Sequence, residues 1–170
     1  MKWNKNFWIA YTLTIIIQLL ICNYLNLSPY VMLSILPVAV LCIPLNFGTA
    51  FAMIIAFVSG CAVDFLADGI PGLNALALVP VAFTRKTLIQ MIFGEELFVR
   101  EDGFSVKRNG FPKVLLAIII MQTLFLAVYI AADGAGMRPL WFDAARLAAS
   151  LAAGTLASLL LIGILAPEDK

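Results

Sequence analysis

The sequence contains no histidine, and charged residues are scarce: Lys, Arg, Asp and Glu make up 12% of its 170 residues. The absence of histidine removes the commonest general base and a frequent metal ligand. The scarcity of charge matters more, because a soluble domain carries about 25% charged residues. With 63% apolar residues, the chain has too few polar side chains to cover a surface in water. We expect an all-α integral membrane protein, a single polytopic domain covering residues 1–170.

Other chemical signatures are also missing. Cys22, Cys42 and Cys61 lie in apolar stretches without a CxxC pair, so the sequence predicts neither a disulfide framework nor a metal site. There is no GxSxG motif and no Walker-type glycine loop. The net charge of +1 gives no indication of a nucleic-acid partner. We therefore expect no enzymatic activity and no cofactor, with the lipid bilayer as the main surrounding.

A long uncharged stretch sets the number of membrane spans. The 58 residues from Asn6 to Val63 include no Asp, Glu, Lys or Arg. One helix of that length would measure about 87 Å, whereas about 30 Å suffices to cross the hydrocarbon layer. The stretch must therefore fold back twice, at the turn-forming residues near Pro29 and near Pro44. Together with the remaining apolar runs this predicts about six transmembrane helices, near residues 7–25, 29–44, 48–66, 72–93, 113–132 and 144–165.

The distribution of basic residues predicts the orientation. With six spans, one side of the membrane holds nine of the eleven Lys and Arg residues, and the other holds only Arg138 and Arg146. Because basic residues concentrate on the cytoplasmic side, both termini and the charged loop 94–112 are expected to be cytoplasmic. The basic N-terminus resembles a signal sequence, but no small-x-small cleavage site follows, so we interpret it as the first span.

Small residues recur at helical spacing in two of the predicted spans. Ala52, Ala56, Gly60 and Asp64 are four residues apart in the third span, and such a row allows helices in a membrane to approach closely. We expect this row to pack inside the chain. The sixth span has two such rows, one of which is available for a partner: Ala145, Ala149, Ala153 and Ala157 form the first, and Ser150, Gly154 and Ser158 the second. Pro37 and Pro80 are expected to kink the second and fourth spans.

Asp64 is the carboxylate that ends the uncharged stretch, within a turn of the external end of the third span. The turn that follows includes Gly72, and the helix after it begins near Asn74. We expect the Asp64 carboxylate to accept backbone N–H groups at the start of that helix, where the helix dipole favours an anion. If one oxygen accepts the bond, Asp64→Asn should be a mild substitution. Arg85 lies about 20 Å further along the helix, so we expect it to extend toward the cytoplasmic interface instead.

These residues also carry a family resemblance. Gly60-x-x-x-Asp64, a short turn, Gly72 and an Ala-rich apolar helix resemble the signature of the rod shape-determining protein MreD family. The preceding "SPYVMLSILPVAVLCIPLNFGTAFAMIIAFVSG", the chain length and the number of spans are similar too. The resemblance is strongest over residues 28–85, and the last two spans match only in hydropathy. Gly60, Asp64 and Gly72 are motif positions by this resemblance, whereas Asn74 and Arg85 are candidates from the physical argument alone.

The resemblance implies a function that the residues do not themselves show. It implies a non-enzymatic subunit of the bacterial cell-elongation machinery in the cytoplasmic membrane. Such a subunit associates with the bitopic protein MreC, and together they link MreB filaments to the peptidoglycan synthase RodA and its transpeptidase. The implied fold is similar to that of the substrate-binding subunits of energy-coupling-factor transporters.

Two other functions remain open. A substrate-binding subunit of an energy-coupling-factor vitamin transporter also has about six spans, and would need a polar cavity facing outward. A small membrane enzyme would need a catalytic set of residues, which the sequence does not display.

Overall fold

A computed structural model describes residues 5–24, 31–68, 71–94, 110–134 and 138–165 of the chain. Within these ranges the protein is almost entirely helical. The helices are α1 (Lys5–Tyr24), α2 (Leu36–Leu41), α3 (Thr49–Val63), α4 (Leu73–Phe93), α5 (Phe111–Gly134) and α6 (Leu140–Leu165). A π-helical turn, Asp64–Asp68, extends α3 at its C-terminal end.

Five of the described helical segments are long and apolar enough to cross a membrane. They coincide with five of the six predicted spans, with ends that differ by a few residues. Large apolar side chains are exposed on all five, as expected for surfaces in contact with lipid: examples are Ile9, Ile54, Phe83, Leu116 and Leu160. The all-α class and the multi-pass membrane character are therefore confirmed.

The second predicted span, 29–44, is not one continuous helix. In its described part, residues 31–35 are non-helical, and only the six residues of α2 are α-helical. Pro37 lies in the first turn of α2, where its missing N–H group is not needed. The expectation that Pro37 kinks a long helix is therefore wrong, because no long helix exists there. Pro80 does lie inside a helix, and α4 continues through it.

The backbone of residues 31–35 is held by side chains from other helices. Gln18 of α1 uses both ends of its amide: Oε1 accepts the Ile35 N–H (2.8 Å), and Nε2 donates to the Leu33 carbonyl (3.1 Å). Gln18 is 1% exposed. Non-helical backbone at membrane depth is tolerated only where protein groups satisfy it, and this glutamine supplies two such bonds.

Two further helices hold the same segment. The Ser150 hydroxyl of α6 accepts the Met32 N–H (2.8 Å), and Gln122 Nε2 of α5 donates to the Ser34 carbonyl (2.9 Å). Gly154 leaves room for the Gln122 amide, because a Cβ there would overlap it. The row of Ser150, Gly154 and Ser158 thus faces the protein interior, and it is the one that packs within the chain.

The core lies around α2. All six of its residues are buried, and α2 packs against α4, α5 and α6. Along the chain, α3 packs on α4, α4 on α5, and α5 on α6. The bundle has two ends: the Asp64 end, where α3 passes into α4, and the Thr49 end, where α3 begins.

Candidate functional site

Asp64 lies at the junction of α3 and α4 and is fully buried. Its carboxylate accepts four hydrogen bonds. Oδ1 accepts the Asn74 backbone N–H (2.9 Å) and the Asn74 side-chain amide (2.9 Å). Oδ2 accepts the backbone N–H groups of Gly72 (3.0 Å) and Ala75 (3.2 Å). The sequence-based expectation that Asp64 binds backbone donors near Asn74 is therefore confirmed, and both oxygens take part.

The local sequence explains why a residue eight positions earlier caps α4. Gly72 occupies the N-cap position with φ of +96°, a left-handed conformation that glycine adopts without strain. Glycine has no side chain to bond the first N–H groups of the helix, which lack partners within it. Asp64 supplies the missing acceptor from the preceding helix. The π-helical turn begins at Asp64 itself, and single π-helical turns often occur at functional positions.

Gly60 is a point of close approach between α3 and α4. A Cβ at Gly60 would lie 2.5 Å from the Ala75 Cα and 2.6 Å from the Ala75 nitrogen. No side chain fits there, because backbone rather than a flexible side chain occupies the space. Ala52 and Ala56, lower in the same row, are fully buried. The predicted internal packing of this row is thus confirmed, and Gly60 brings Asp64 within reach of the α4 terminus.

The Arg85 side chain does not extend into water, and the expectation of an extended, exposed side chain is wrong. The side chain is 3% exposed, and it lies at the Thr49 end, away from Asp64. Its Nε donates to the Leu41 carbonyl (3.1 Å), and its terminal nitrogen donates to the Ile43 carbonyl. Arg85 therefore satisfies carbonyl groups at the end of α2. The two acceptors lie more than forty positions before Arg85 in the sequence, which is why the sequence argument missed this contact.

A cavity of about 120 Å³ lies beside Arg85. Residues 45–49, which lead into α3, form one wall, and Ala82, Arg85 and Lys86 of α4 form the other. The Lys86 side chain is exposed, whereas the Arg85 side chain is buried. Among the described residues that line it, none is acidic. The cavity therefore has the buried Arg85 guanidinium group at its wall, with the exposed Lys86 side chain beside it.

Sequence reasoning also overlooked an ionic cluster at the Asp64 end. Asp133 at the end of α5 accepts from Arg138 (2.7 Å) and Arg146 (2.5 Å) through the same oxygen, Oδ2. The buried glutamines Gln18 and Gln122 were overlooked as well. A usable signal existed for them, because an amide side chain inside an otherwise apolar span requires a polar partner.

The chemistry available at these positions is that of hydrogen bonding and charge. Within the described ranges, no group of three or more His, Cys, Asp or Glu residues is placed to hold a metal ion. One end of the bundle brings together four of the candidate residues, Gly60, Asp64, Gly72 and Asn74. Arg85 lies apart from them at the other end.

Comparisons with known proteins give no information on these positions, so their geometry alone is the basis for interpretation. No protein-family model, no curated protein and no solved structure matches the chain.

Proposed function

We propose that this chain is a non-enzymatic membrane scaffold subunit of the bacterial cell-elongation machinery, which guides peptidoglycan synthesis and rod shape. The observation that carries the proposal is that the motif residues make structural contacts inside the chain. Gly60, Asp64 and Gly72 join two transmembrane helices, and both Asp64 oxygens are engaged inside the chain. A motif used in this way supports a rigid surface for partner proteins rather than a reaction centre.

The proposed direct partner is an MreC-like bitopic membrane protein. Through it the chain is connected to MreB, RodA and the RodA-associated transpeptidase. These partners rest on the resemblance of residues 28–85 to the MreD family. The corresponding location is the bacterial cytoplasmic membrane.

We further propose six membrane crossings with both termini cytoplasmic, in a fold similar to the substrate-binding subunits of energy-coupling-factor transporters. Trp8 of α1 contacts two rings near the start of α3. The centroid of its ring lies 5.7 Å from that of Phe47 and 6.3 Å from that of Phe51. The starts of α1 and α3 therefore share one end, so the intervening chain has to return. Residues 31–35 and α2 together span about 25 Å, at about 3.3 Å per extended residue and 1.5 Å per helical residue. This length supports a broken second crossing.

Co-purification from native membranes tests the proposal. The tagged full-length chain should retain the MreC-like protein of the same cell after mild detergent extraction, and a tagged unrelated polytopic protein should not. Retention of an ATPase and its transmembrane coupling subunit instead would indicate the vitamin-transporter function and contradict the scaffold function. Loss of the chain should also convert rod-shaped cells to rounded ones.

A further inference from the structure

Arg85 is a buried cation without a counter-ion in the described part of the chain. Its two hydrogen-bond acceptors there are the neutral carbonyls of Leu41 and Ile43. A guanidinium group has five N–H donors, so these bonds leave donors unused. A buried charge is costly unless an opposite charge compensates it. The structure places this uncompensated charge at the wall of a cavity rather than in solid packing.

The cavity is suited to a small anion. Its volume of about 120 Å³ corresponds to about four water molecules at roughly 30 Å³ each. A tetrahedral phosphate group, with five non-hydrogen atoms, is of that size. The lining also includes the exposed side chain of Lys86 and the polar side chains of Asn46 and Thr49, and its described part contains no acidic residue. The start of α3 also borders the cavity, and the N-terminal end of a helix favours negative charge.

An aromatic group beside the cavity indicates that the cavity lies at the level of lipid headgroups. Trp8, Phe47 and Phe51 form an aromatic group beside it, and the Phe47 and Phe51 rings stack at 4.7 Å. Tryptophan, here Trp8, is enriched where a membrane meets water. Above the cavity, Phe51, Ile54 and Val58 are exposed on one side of α3 at helical spacing. An acyl chain could lie along this row while its headgroup occupies the cavity.

We propose that the cavity between residues 45–49 and Arg85–Lys86 binds the phosphate of an anionic phospholipid. Arg85 and Lys86 bind the phosphate oxygens, and the exposed row on α3 contacts an acyl chain. The bound lipid neutralises Arg85 and thereby stabilises the end of α2, which Arg85 caps. This inference does not depend on the scaffold function, because it uses only the cavity, its charges and its position.

The test is a thermal-unfolding titration of the purified full-length chain in a non-ionic detergent. Four additives are compared: phosphatidylglycerol, phosphatidylcholine, diacylglycerol and inorganic phosphate. We expect phosphatidylglycerol to raise the Tm in a saturable manner, and diacylglycerol, which has the same tails without phosphate, to leave it unchanged. Phosphatidylcholine should require a higher concentration, because its headgroup has no net charge.

Matched lysine variants locate the effect. Lys86→Gln should raise the phosphatidylglycerol concentration that gives half of the maximal increase in Tm at least fivefold. Lys113→Gln makes the same charge change on an exposed residue at the start of α5, outside the cavity, and should alter it less than twofold. Arg85→Lys adds information if it folds, but the proposal is tested without it. Equal effects of the two glutamine variants, or an equal shift from diacylglycerol, would overturn the site. A full shift from inorganic phosphate alone would overturn the lipid as ligand.

Discussion

Asp64 shows how a costly residue in a membrane protein becomes structurally necessary. A carboxylate near apolar surroundings is unfavourable unless hydrogen bonds compensate it. Here both oxygens accept two bonds each, at the helix terminus where the dipole also favours an anion. Asp64 thus couples the end of α3 to the start of α4, and its removal should affect both helices.

The structure reverses the expectation that Asp64→Asn is mild. An amide offers one oxygen and one NH2 group, and in either orientation the NH2 faces two N–H donors. Each buried donor left without an acceptor costs about 1–3 kcal/mol. We therefore expect Asp64→Asn to lower the stability in detergent about as much as Asp64→Ala. Thermal unfolding of both variants, with membrane levels measured in parallel, provides the comparison.

Asn74→Ala supplies the graded control for this series. It removes one of the four bonds and leaves the three backbone donors bound, so its loss of stability should be smaller. If Asp64→Asn were as stable as the wild type, binding through both oxygens would be refuted.

The residue scale also shows the limit of prediction from sequence. Asp64 could be assigned because its donors lie within eleven positions along the chain, in a turn that the sequence marks clearly. Arg85 could not, because its acceptors lie more than forty positions away along the chain. The spacing of residues within one helix gives no information on which distant carbonyl groups its side chains meet.

At the scale of helices, the α3–α4 contact sets the distance between two spans. Because a Cβ at Gly60 would meet the Ala75 backbone, even Gly60→Ala should force the helices apart. Overpacking of this kind costs about 1–3 kcal/mol, and Gly60→Leu should cost more. The measurement is thermal stability in detergent, compared between variants at equal expression.

Two controls isolate the contact at Gly60. Gly134→Ala makes the same change where the nearest atom to the new Cβ, Asp143 Oδ2, is 3.7 Å away, an ordinary contact. Ile54→Leu alters an exposed side chain on the same helix as Gly60. Neither should cost more than a few tenths of a kcal/mol. A loss at Gly134 equal to that at Gly60 would contradict a specific close approach.

The segment 31–35 depends on side chains of other helices for its backbone bonds. Gln18→Leu would leave the Ile35 N–H and the Leu33 carbonyl unsatisfied in the interior. At about 1–3 kcal/mol for each group, we expect a clear loss of stability and faster proteolysis near the segment. Gln90→Leu, the same substitution at an exposed position of α4, is the matched control. Similar behaviour of the two variants would show that Gln18 does not support the segment.

At the scale of the whole molecule, hydropathy predicted the long helices well and the second span poorly. An uninterrupted apolar run signals that a segment is buried, but it does not distinguish a lipid-facing helix from protein-enclosed chain. Residues 34–43 are all buried, so their apolar character reflects contact with the surrounding helices rather than with lipid. The polar groups that reveal the difference, Gln18, Gln122 and Ser150, belong to other spans.

The proposed six-crossing topology gives the last prediction. It requires Ser105 and Asn46 to lie on the cytoplasmic side and Gly136 on the external side. The basic residues support this orientation, and Asn46 is exposed at the Thr49 end. Single cysteines at these positions, in a chain without the three native cysteines, are to be treated with a membrane-impermeant thiol reagent. Gly136→Cys should react in intact cells, whereas Ser105→Cys and Asn46→Cys should react only after permeabilisation.

Asn46→Cys is the decisive variant, because it separates a broken crossing from a segment that enters the membrane and returns. If residues 25–48 returned to the side they left, Asn46 would lie on the same side as the C-terminal end of α1. The cysteine at position 46 would then react in intact cells, and the N-terminus and position 105 would lie on opposite sides. Reaction of Asn46→Cys only after permeabilisation, together with Ser105→Cys, requires that the chain crosses between α1 and α3 without a long helix.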